Sequence, residues 1–254
     1  MPVTSDAILE ADGVSCAFGG VQAVDHASLK IDRGTITGLI GPNGAGKSTL
    51  VNIISGHTKA QEGKIVFAGH ETTGIPAYQV ARRGLIRTFQ LSSEFPNMTL
   101  LENMLVAPRQ MGTGFWNAMF RKSVWNRQEY ELLDKARHLL VEFGLYKLAD
   151  EYAGNLSGGQ KRLLEIARAL MADPTMLVLD EPMAGVAGVL IDRLVDHILE
   201  LNRSGLTFLV IEHDLEVVDR LCENVYVMAQ GSVLAYGSMS DLRQNESVLE
   251  AYLD

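Results

Sequence analysis

A glycine-rich run between an apolar segment and a helical pattern constrains the fold of this chain more than any other feature. Residues 41–49 read GPNGAGKST and match the pattern G-x-x-x-x-G-K-[ST] in full. The apolar run Ile36–Ile40 precedes them, and a helical pattern over Lys47–Ile54 follows and is closed by Gly56. A strand, a loop and a helix in this order predict a loop whose backbone N–H groups surround phosphate groups.

The residues of this run have separate expected roles. Lys47 is expected to reach the β- and γ-phosphates of a nucleotide, and the Ser48 hydroxyl is expected to bind Mg²⁺. The alternative is a glycine-rich turn that merely starts a helix, but the full pattern in a strand-to-helix context favours phosphate binding. The predicted nucleotide-binding residues are Gly41, Pro42, Asn43, Gly44, Ala45, Gly46, Lys47, Ser48 and Thr49.

Composition and charge exclude several other classes of protein. A formal charge of -9 over 254 residues argues against a general nucleic-acid binder, which would carry a clustered basic face. Cys16 and Cys222 lie far apart without metal-ligand spacing, so we interpret both as buried thiols in a reducing compartment. Met1–Glu10 lacks the pattern of a signal peptide, and no apolar run approaches the roughly 18 residues of a membrane span. Action at a membrane would therefore require a partner that spans it.

Strand and helix patterns alternate along most of the chain. The segments Met176–Asp180 and Thr207–Ile211 are apolar runs typical of buried strands, and Leu190–Arg203 between them has a helical pattern. Such alternation predicts a mainly parallel sheet with helices on both faces. The N-terminal strand patterns predict an antiparallel β subdomain, and a helical stretch in the middle of the chain predicts an inserted helical subdomain.

Two carboxylates follow a second apolar strand. Asp180 ends that strand, at the edge of an open α/β sheet where ligands bind, and can hold Mg²⁺ through its water shell. Glu181 is placed to polarise an attacking water molecule. The alternative is a pair of carboxylates that cap the next loop, but their occurrence together with the phosphate loop favours catalysis.

A third motif resembles the signature of ATP-binding cassette proteins. It comprises Ser157, Gly158, Gly159 and Gln160, which precede a predicted helix over Lys161–Met171 and form a second anion site at a helix N-terminus. In that family the signature faces the γ-phosphate held by a partner subunit. The resemblance covers nearly the whole chain and implies an ATPase that binds ATP and Mg²⁺. It implies a P-loop NTPase (RecA-like) core over 1–94 and 161–254, with a helical subdomain over 95–160 that ends in the signature.

Other family positions are identified by the same resemblance. Phe18 resembles the aromatic residue that stacks on adenine, although a core aromatic residue is an open alternative. Gln90 resembles the glutamine that contacts Mg²⁺ or the attacking water, whereas in isolation it would be a solvated loop residue. His213 follows a strand and resembles the switch histidine that contacts the γ-phosphate. The other histidines have no such context.

One motif departs from the family pattern. After Glu181 and Pro182 the family usually has Ser-Ala-Leu-Asp, or Ala-Gly-Leu-Asn in the closest subfamily, whereas residues 184–187 here read AGVA. Ala187 therefore lacks the polar side chain that would hydrogen-bond across the dimer interface. Loss of such a bond costs about 0.5–1.5 kcal/mol, which predicts altered communication between two ATP sites.

The detailed resemblance is to ATP-binding subunits of branched-chain amino acid importers. The matching segments are RTFQL at 87–91, TLLENM at 99–104, EPMAGV at 181–186 and VLEAYL at 248–253. The resemblance implies integral-membrane permease partners and a second ATPase chain, identical or not, at the cytoplasmic face of the inner membrane. It implies no nucleic-acid partner.

Three alternatives to amino acid import remain at the level of sequence. The first is the ATPase of lipopolysaccharide export, which also has an Ala-Gly-Val run after Glu-Pro. The second is a non-transport cassette ATPase that acts on ribosomes or damaged DNA, although this chain has one cassette and no cysteine clusters. The third is a non-hydrolysing scaffold, which the presence of Lys47, Asp180, Glu181 and His213 disfavours.

Overall fold

The computed structural model describes residues 6–88, 94–106, 122–186 and 188–252. Its described residues form two compact units. The first contains residues 6–88, 174–184 and 192–252, and the second contains 94–106, 122–173, 185–186 and 188–191. The predicted helical subdomain, 95–160, falls in the second unit, which extends further along the chain. The boundaries that we expect at 94 and 160 stay a prediction.

The described strands and helices follow the alternation expected from the sequence. The strands are β1 (Ala7–Phe18), β2 (Val21–Asp32), β3 (Ile36–Ile40), β4 (Glu62–Phe67), β5 (His70–Glu71), β6 (Leu85–Arg87), β7 (Met176–Asp180), β8 (Thr207–Ile211), β9 (Asn224–Ala229) and β10 (Ser232–Gly237). The helices are α1 (Lys47–Ile54), α2 (Ala77–Arg82), α3 (Leu100–Val106), α4 (Lys122–Glu142), α5 (Gly158–Leu170), α6 (Gly188–Arg203), α7 (Leu215–Leu221), α8 (Met239–Leu242) and α9 (Glu246–Ala251). No helix among these described residues is long and apolar enough to cross a membrane.

The first unit contains an antiparallel sheet near the N-terminus. Its strands lie in the order β2-β1-β4-β5. The β1–β2 hairpin closes at the pair Phe18 and Val21, and the two residues between them are glycines with φ of 53° and 87°. A two-residue turn of this kind needs positive φ, which glycine adopts without steric cost. The predicted N-terminal antiparallel subdomain is confirmed.

The same unit contains the mainly parallel sheet. Its described strands lie in the order β10-β9-β3-β8-β7-β6, and only the β9–β10 pair of this order is antiparallel. Every residue of β3, β7 and β8 is buried, as expected of parallel strands that are covered on both faces. The predicted bounds of these three strands are confirmed. Helix α1 buries Leu50 and Val51 in a core shared with the antiparallel sheet.

Both cysteines are buried in this structure. Burial, together with a smaller contribution from the Glu212 carboxylate, raises the pKa of the Cys222 thiol to about 12. Because the thiolate is the reactive form, we expect a thiol reagent at pH 8 to modify neither cysteine of the folded chain. The same reagent in denaturant should modify both, as counted by mass spectrometry. Rapid labelling of Cys222 in the folded chain would contradict the burial described here.

Candidate functional site

The phosphate loop is shaped by two glycines that touch other backbone segments. A Cβ on Gly41 would collide with the Met228 carbonyl oxygen of β9, and a Cβ on Gly46 would collide with the Ala23 carbonyl oxygen of β2. Gly46 has φ of 95° and is the N-cap of α1. At the end of β3 and at the start of α1, the loop backbone therefore lies so close to a neighbouring strand that only glycine, which has no Cβ, fits.

Lys47 lies over the loop that precedes it. Its Nζ donates hydrogen bonds to the carbonyl oxygens of Gly41 at 2.7 Å and Pro42 at 2.9 Å. Burial lowers the pKa of Lys47, and the carboxylates of Glu181 and Asp180 act in the opposite direction. The ammonium group is thus within electrostatic reach of both carboxylates that the sequence singled out.

Parallel pairing brings the predicted catalytic residues to one edge of the sheet. Ile211 of β8 pairs with both Leu39 of β3 and Asp180 of β7. The Glu181 N–H then donates to the Ile211 carbonyl at 2.9 Å, and Glu181 adopts a positive φ of 48°. His213 follows β8 at the same edge, and its side chain is largely exposed. The structure therefore places Lys47, Asp180, Glu181 and His213 at the carboxyl ends of neighbouring strands.

Asp180 forms a buried ion pair with Arg87. The guanidinium Nη2 lies 2.8 Å from Asp180 Oδ2, and both side chains are more than nine-tenths buried. The Nη1 group of Arg87 donates to Asn52 Oδ1 at 2.5 Å and to Ser55 Oγ at 3.4 Å. Arg87 therefore connects the carboxylate at the end of β7 to the helix that follows the phosphate loop.

The role of Arg87 was missed at the level of sequence, where it appears only as part of a family resemblance. Its residue type is uninformative without the strand order, because Arg87 meets Asp180 only through the pairing of β6 with β7. A charged residue that ends a short apolar strand is the one signal that could have drawn attention to it. Glu212, which is buried beside His213, was missed for the same reason.

The signature residues form a helix N-terminus in the second unit. Ser157 is the N-cap of α5, which begins at Gly158, three residues before the predicted start. The Gln160 N–H donates to Ser157 Oγ at 3.4 Å, and the Ser157 N–H donates to Gln160 Oε1 at 2.9 Å. This reciprocal capping explains the earlier start. A Cβ on Gly159 would lie 2.5 Å from Leu190 Cδ1, so the first turn packs closely on another segment of this unit.

Phe18 lies at the tip of the β1–β2 hairpin with 54% of its surface exposed. The alternative of a core aromatic residue is therefore wrong. Gly231 connects the hairpin to the phosphate loop, because it accepts a backbone hydrogen bond from Asp25 at 2.9 Å and donates one to Ala45 at 3.1 Å. The exposed ring thus belongs to a segment that is fixed to the loop.

Two of the residues predicted from sequence are not covered by the structure. Gln90, predicted to contact Mg²⁺ or water, and Ala187, predicted to weaken a dimer contact, both lie outside the described residues.

The assembled edge has the groups needed for phosphoryl transfer to water. The loop amides and Lys47 can neutralise phosphate charge, and Asp180 and Ser48 offer the oxygen ligands that Mg²⁺ prefers. No group of three His, Cys, Asp or Glu side chains among the described residues could hold a metal ion. Mg²⁺ is usually bound by one or two carboxylates together with substrate phosphates.

Comparison with known proteins identifies relatives over nearly the whole chain. A family model described as ABC transporter matches residues 24–184. The probable branched-chain amino acid transport ATP-binding protein LivG of Archaeoglobus fulgidus is 41% identical over 246 residues, covering 97% of this chain and 95% of that protein.

Solved structures agree with this relationship. The ADP conformation of an ATP-binding cassette of an ABC transporter is 37% identical with a TM-score of 0.84, covering 97% of this chain and 98% of that chain. A dimeric structure of a bacterial ABC transporter cassette is 25% identical with a TM-score of 0.75, covering 91% of this chain and 98% of that chain.

The buried pair of Arg87 and Asp180 leads to a prediction about stability. Arg87→Met should lower the free energy of unfolding by about 3–5 kcal/mol, because it leaves Asp180 buried without its partner. Urea denaturation without nucleotide measures this loss. The exposed pair of Arg243 and Asp219 supplies a control, and Arg243→Met should cost less than about 1 kcal/mol. Equal losses of unfolding free energy in the two variants would show that the buried pair contributes no more to stability than the exposed pair.

Proposed function

The chain belongs to the ABC transporter family as an ATP-binding and ATP-hydrolysing subunit, and we propose from this premise that it powers the import of amino acids across a membrane. The observation that carries ATP hydrolysis is the strand-edge arrangement of Lys47, Asp180 and Glu181 beside the phosphate loop, and transport rests on the relatives. The 41% identity to a probable branched-chain amino acid transport ATP-binding protein supports this class of substrate over lipopolysaccharide export and over ribosome or DNA-repair work.

Each side chain of the site has a proposed part in hydrolysis. ATP binds with its phosphates on the loop amides and Lys47, and the exposed ring of Phe18 stacks on the adenine. Ser48 and Gln90 would hold Mg²⁺, with Asp180 acting through its water shell, and the ion would supply neutralisation of phosphate charge. Glu181 polarises the attacking water, and His213 contacts the γ-phosphate. Water attacks in line, so no covalent intermediate forms on the protein.

The signature residues are proposed to act on the nucleotide of a second ATPase chain. Ser157, Gly158, Gly159 and Gln160 lie at a helix N-terminus, where N–H groups and the helix dipole favour an anion. The dimeric form of a related cassette supports a pair of chains that closes around two ATP molecules. The pair is a homodimer or a heterodimer, and Ala187, which lacks the usual polar side chain, favours a non-identical partner.

The transporter itself is proposed to be completed by other subunits. Integral-membrane permeases bind the ATPase pair at the cytoplasmic face of the inner membrane, and closure of the pair changes the conformation of the permeases. The amino acid contacts the permeases and not this chain. Nucleic acid is no partner in this proposal, in keeping with the net charge of -9.

Glu181→Gln tests the proposed role in hydrolysis. The variant should bind MgATP normally and lower kcat by about a hundredfold or more, because an amide cannot accept a proton from water. A phosphate-release assay measures kcat, and gel filtration with saturating MgATP should show accumulation of the dimer. Glu223→Gln, an exposed carboxylate elsewhere in the first unit, is the matched control and should retain activity. A fully active Glu181→Gln chain would refute the assignment, and a monomer throughout would refute a homodimer.

A pull-down from membranes tests the proposed role in transport. Tagged Glu181→Gln chain with MgATP should retain, from detergent-solubilised membranes of its source cell, two polytopic permeases and an ATPase, identified by mass spectrometry. As a control, an excess of untagged chain should compete with the tagged bait for these proteins and prevent their enrichment. Recovery of ribosomal or DNA-repair proteins without a membrane partner would overturn the transport proposal and leave the ATPase assignment intact.

A further inference from the structure

Glu212 is a buried carboxylate in the segment that carries His213, and it contacts the segment that carries Glu181. Its residue is 1% exposed and directly follows β8. One carboxylate oxygen, Oε1, accepts a hydrogen bond from the Met183 N–H at 2.9 Å, and the other, Oε2, accepts one from the His213 N–H at 3.2 Å. The Glu212 side chain therefore binds the backbone of its own segment at His213 and the backbone of the segment after β7 at Met183.

The two segments follow β7 and β8, which pair with each other in the parallel ladder. Asp180 and Ile211 form the last register pair of β7 and β8, and the Glu181 N–H donates once more to the Ile211 carbonyl at 2.9 Å. Beyond this point the chain turns at Glu181, whose carbonyl accepts a hydrogen bond from the Ala184 N–H at 3.1 Å. The Glu212 side chain thus continues the connection between the segments where the ladder ends.

The burial of the Glu212 carboxylate has a cost in the stability of the fold. Burial raises the pKa of Glu212, while the N–H groups of Met183, His213 and Asp214 and the His213 ring oppose the shift. Because the folded-state pKa is above the usual glutamate value, protonated Glu212 favours the folded state, and this contribution is lost as the pH rises through the folded-state pKa. An uncharged side chain of the same shape would avoid the desolvation of the carboxylate. The hydrogen bonds from backbone N–H groups offset part of this desolvation, and a glutamine could accept only one of the two bonds from Met183 and His213.

We propose that Glu212 is a positioning residue that fixes Glu181 and His213 relative to each other by binding their backbone segments. The inference rests on the proposed roles of Glu181 and His213 in hydrolysis. Both side chains extend from short segments outside the sheet, so a small shift of either segment would misplace the attacking water or the contact to the γ-phosphate. Misplacement by about 1 Å in an active site can cost a hundredfold in rate.

Glu212→Gln tests this inference with little change in shape. The amide nitrogen of glutamine cannot accept a hydrogen bond, so one of the two segments loses its partner. We expect kcat for ATP hydrolysis to fall at least tenfold, the KM for ATP to stay within about threefold, and the Tm to stay within about 4 °C. The exposed Glu216→Gln in α7 removes the same charge nearby and should behave like the wild-type chain. A lower Tm with an unchanged kcat would show a purely structural role and overturn the inference.

A double variant tests whether Glu212 acts through His213. If the two residues work as a unit, Glu212→Gln combined with His213→Ala should lose less activity than the product of the two single losses. Losses that multiply would mean independent actions and would overturn the proposed coupling. If Glu181→Gln and His213→Ala both remain fully active, the proposed hydrolytic function itself fails. If both lose activity while Glu212→Gln does not, only the positioning role fails.

A measurement on the wild-type chain remains decisive should the variant fail to fold. The N–H groups of Met183 and His213 are both bound to one buried carboxylate, so they should exchange with deuterium slowly and at similar rates. Amide exchange followed by nuclear magnetic resonance measures both rates. Rapid exchange of either N–H group in the folded chain would overturn the inference.

Discussion

The register of the parallel sheet is the constraint on which the site depends. Ile211 pairs with Leu39 on one side and with Asp180 on the other, so three neighbouring strands end within one residue of the same level. The phosphate loop and both catalytic segments leave the sheet from that level. Because side chains on a strand alternate between faces, a shift of one residue would turn Asp180 towards the opposite face of the sheet. Every residue of β3, β7 and β8 is buried, so such a shift would require the close-packed side chains on both faces of the sheet to repack.

Charges that are buried around this edge have a cost that the apolar core must offset. Arg87 and Asp180 compensate each other at 2.8 Å, whereas Glu212 is satisfied mainly by backbone N–H groups. Lys47 is partly buried over its own loop. A chain selected for stability alone would replace such groups with apolar residues. Their presence together at one edge is typical of a site where polar groups are fixed before the ligand arrives.

The second unit shows a different way to prepare an anion site. The N–H groups at the start of α5 are partly satisfied within the chain, because Ser157 and Gln160 cap each other. This capping fixes the orientation of the first helical turn, and the close approach of Leu190 to Gly159 requires a residue without a side chain there. Contacts within the chain therefore fix the first helical turn, and no bound phosphate group is needed to form it. Preorganisation of this kind lowers the entropy that a ligand must lose on binding.

The sequence by itself determined the parts of the protein whose physics is local. The phosphate loop, the bounds of β3, β7 and β8, the N-terminal antiparallel sheet and the membership of the family all follow from short motifs and strand patterns. The start of α5 was placed too late because the first turn contains Gly158 and Gly159, which carry no apolar periodicity, and is held by the side chains of Ser157 and Gln160. Only the tertiary structure decided that Phe18 is exposed, that Arg87 reaches Asp180 and that Glu212 joins two segments. These contacts bring together residues 93 positions apart in one case and 29 in another. These contacts depend on which strands become neighbours in the sheet. The residue pattern along a single strand does not indicate which strand will lie beside it.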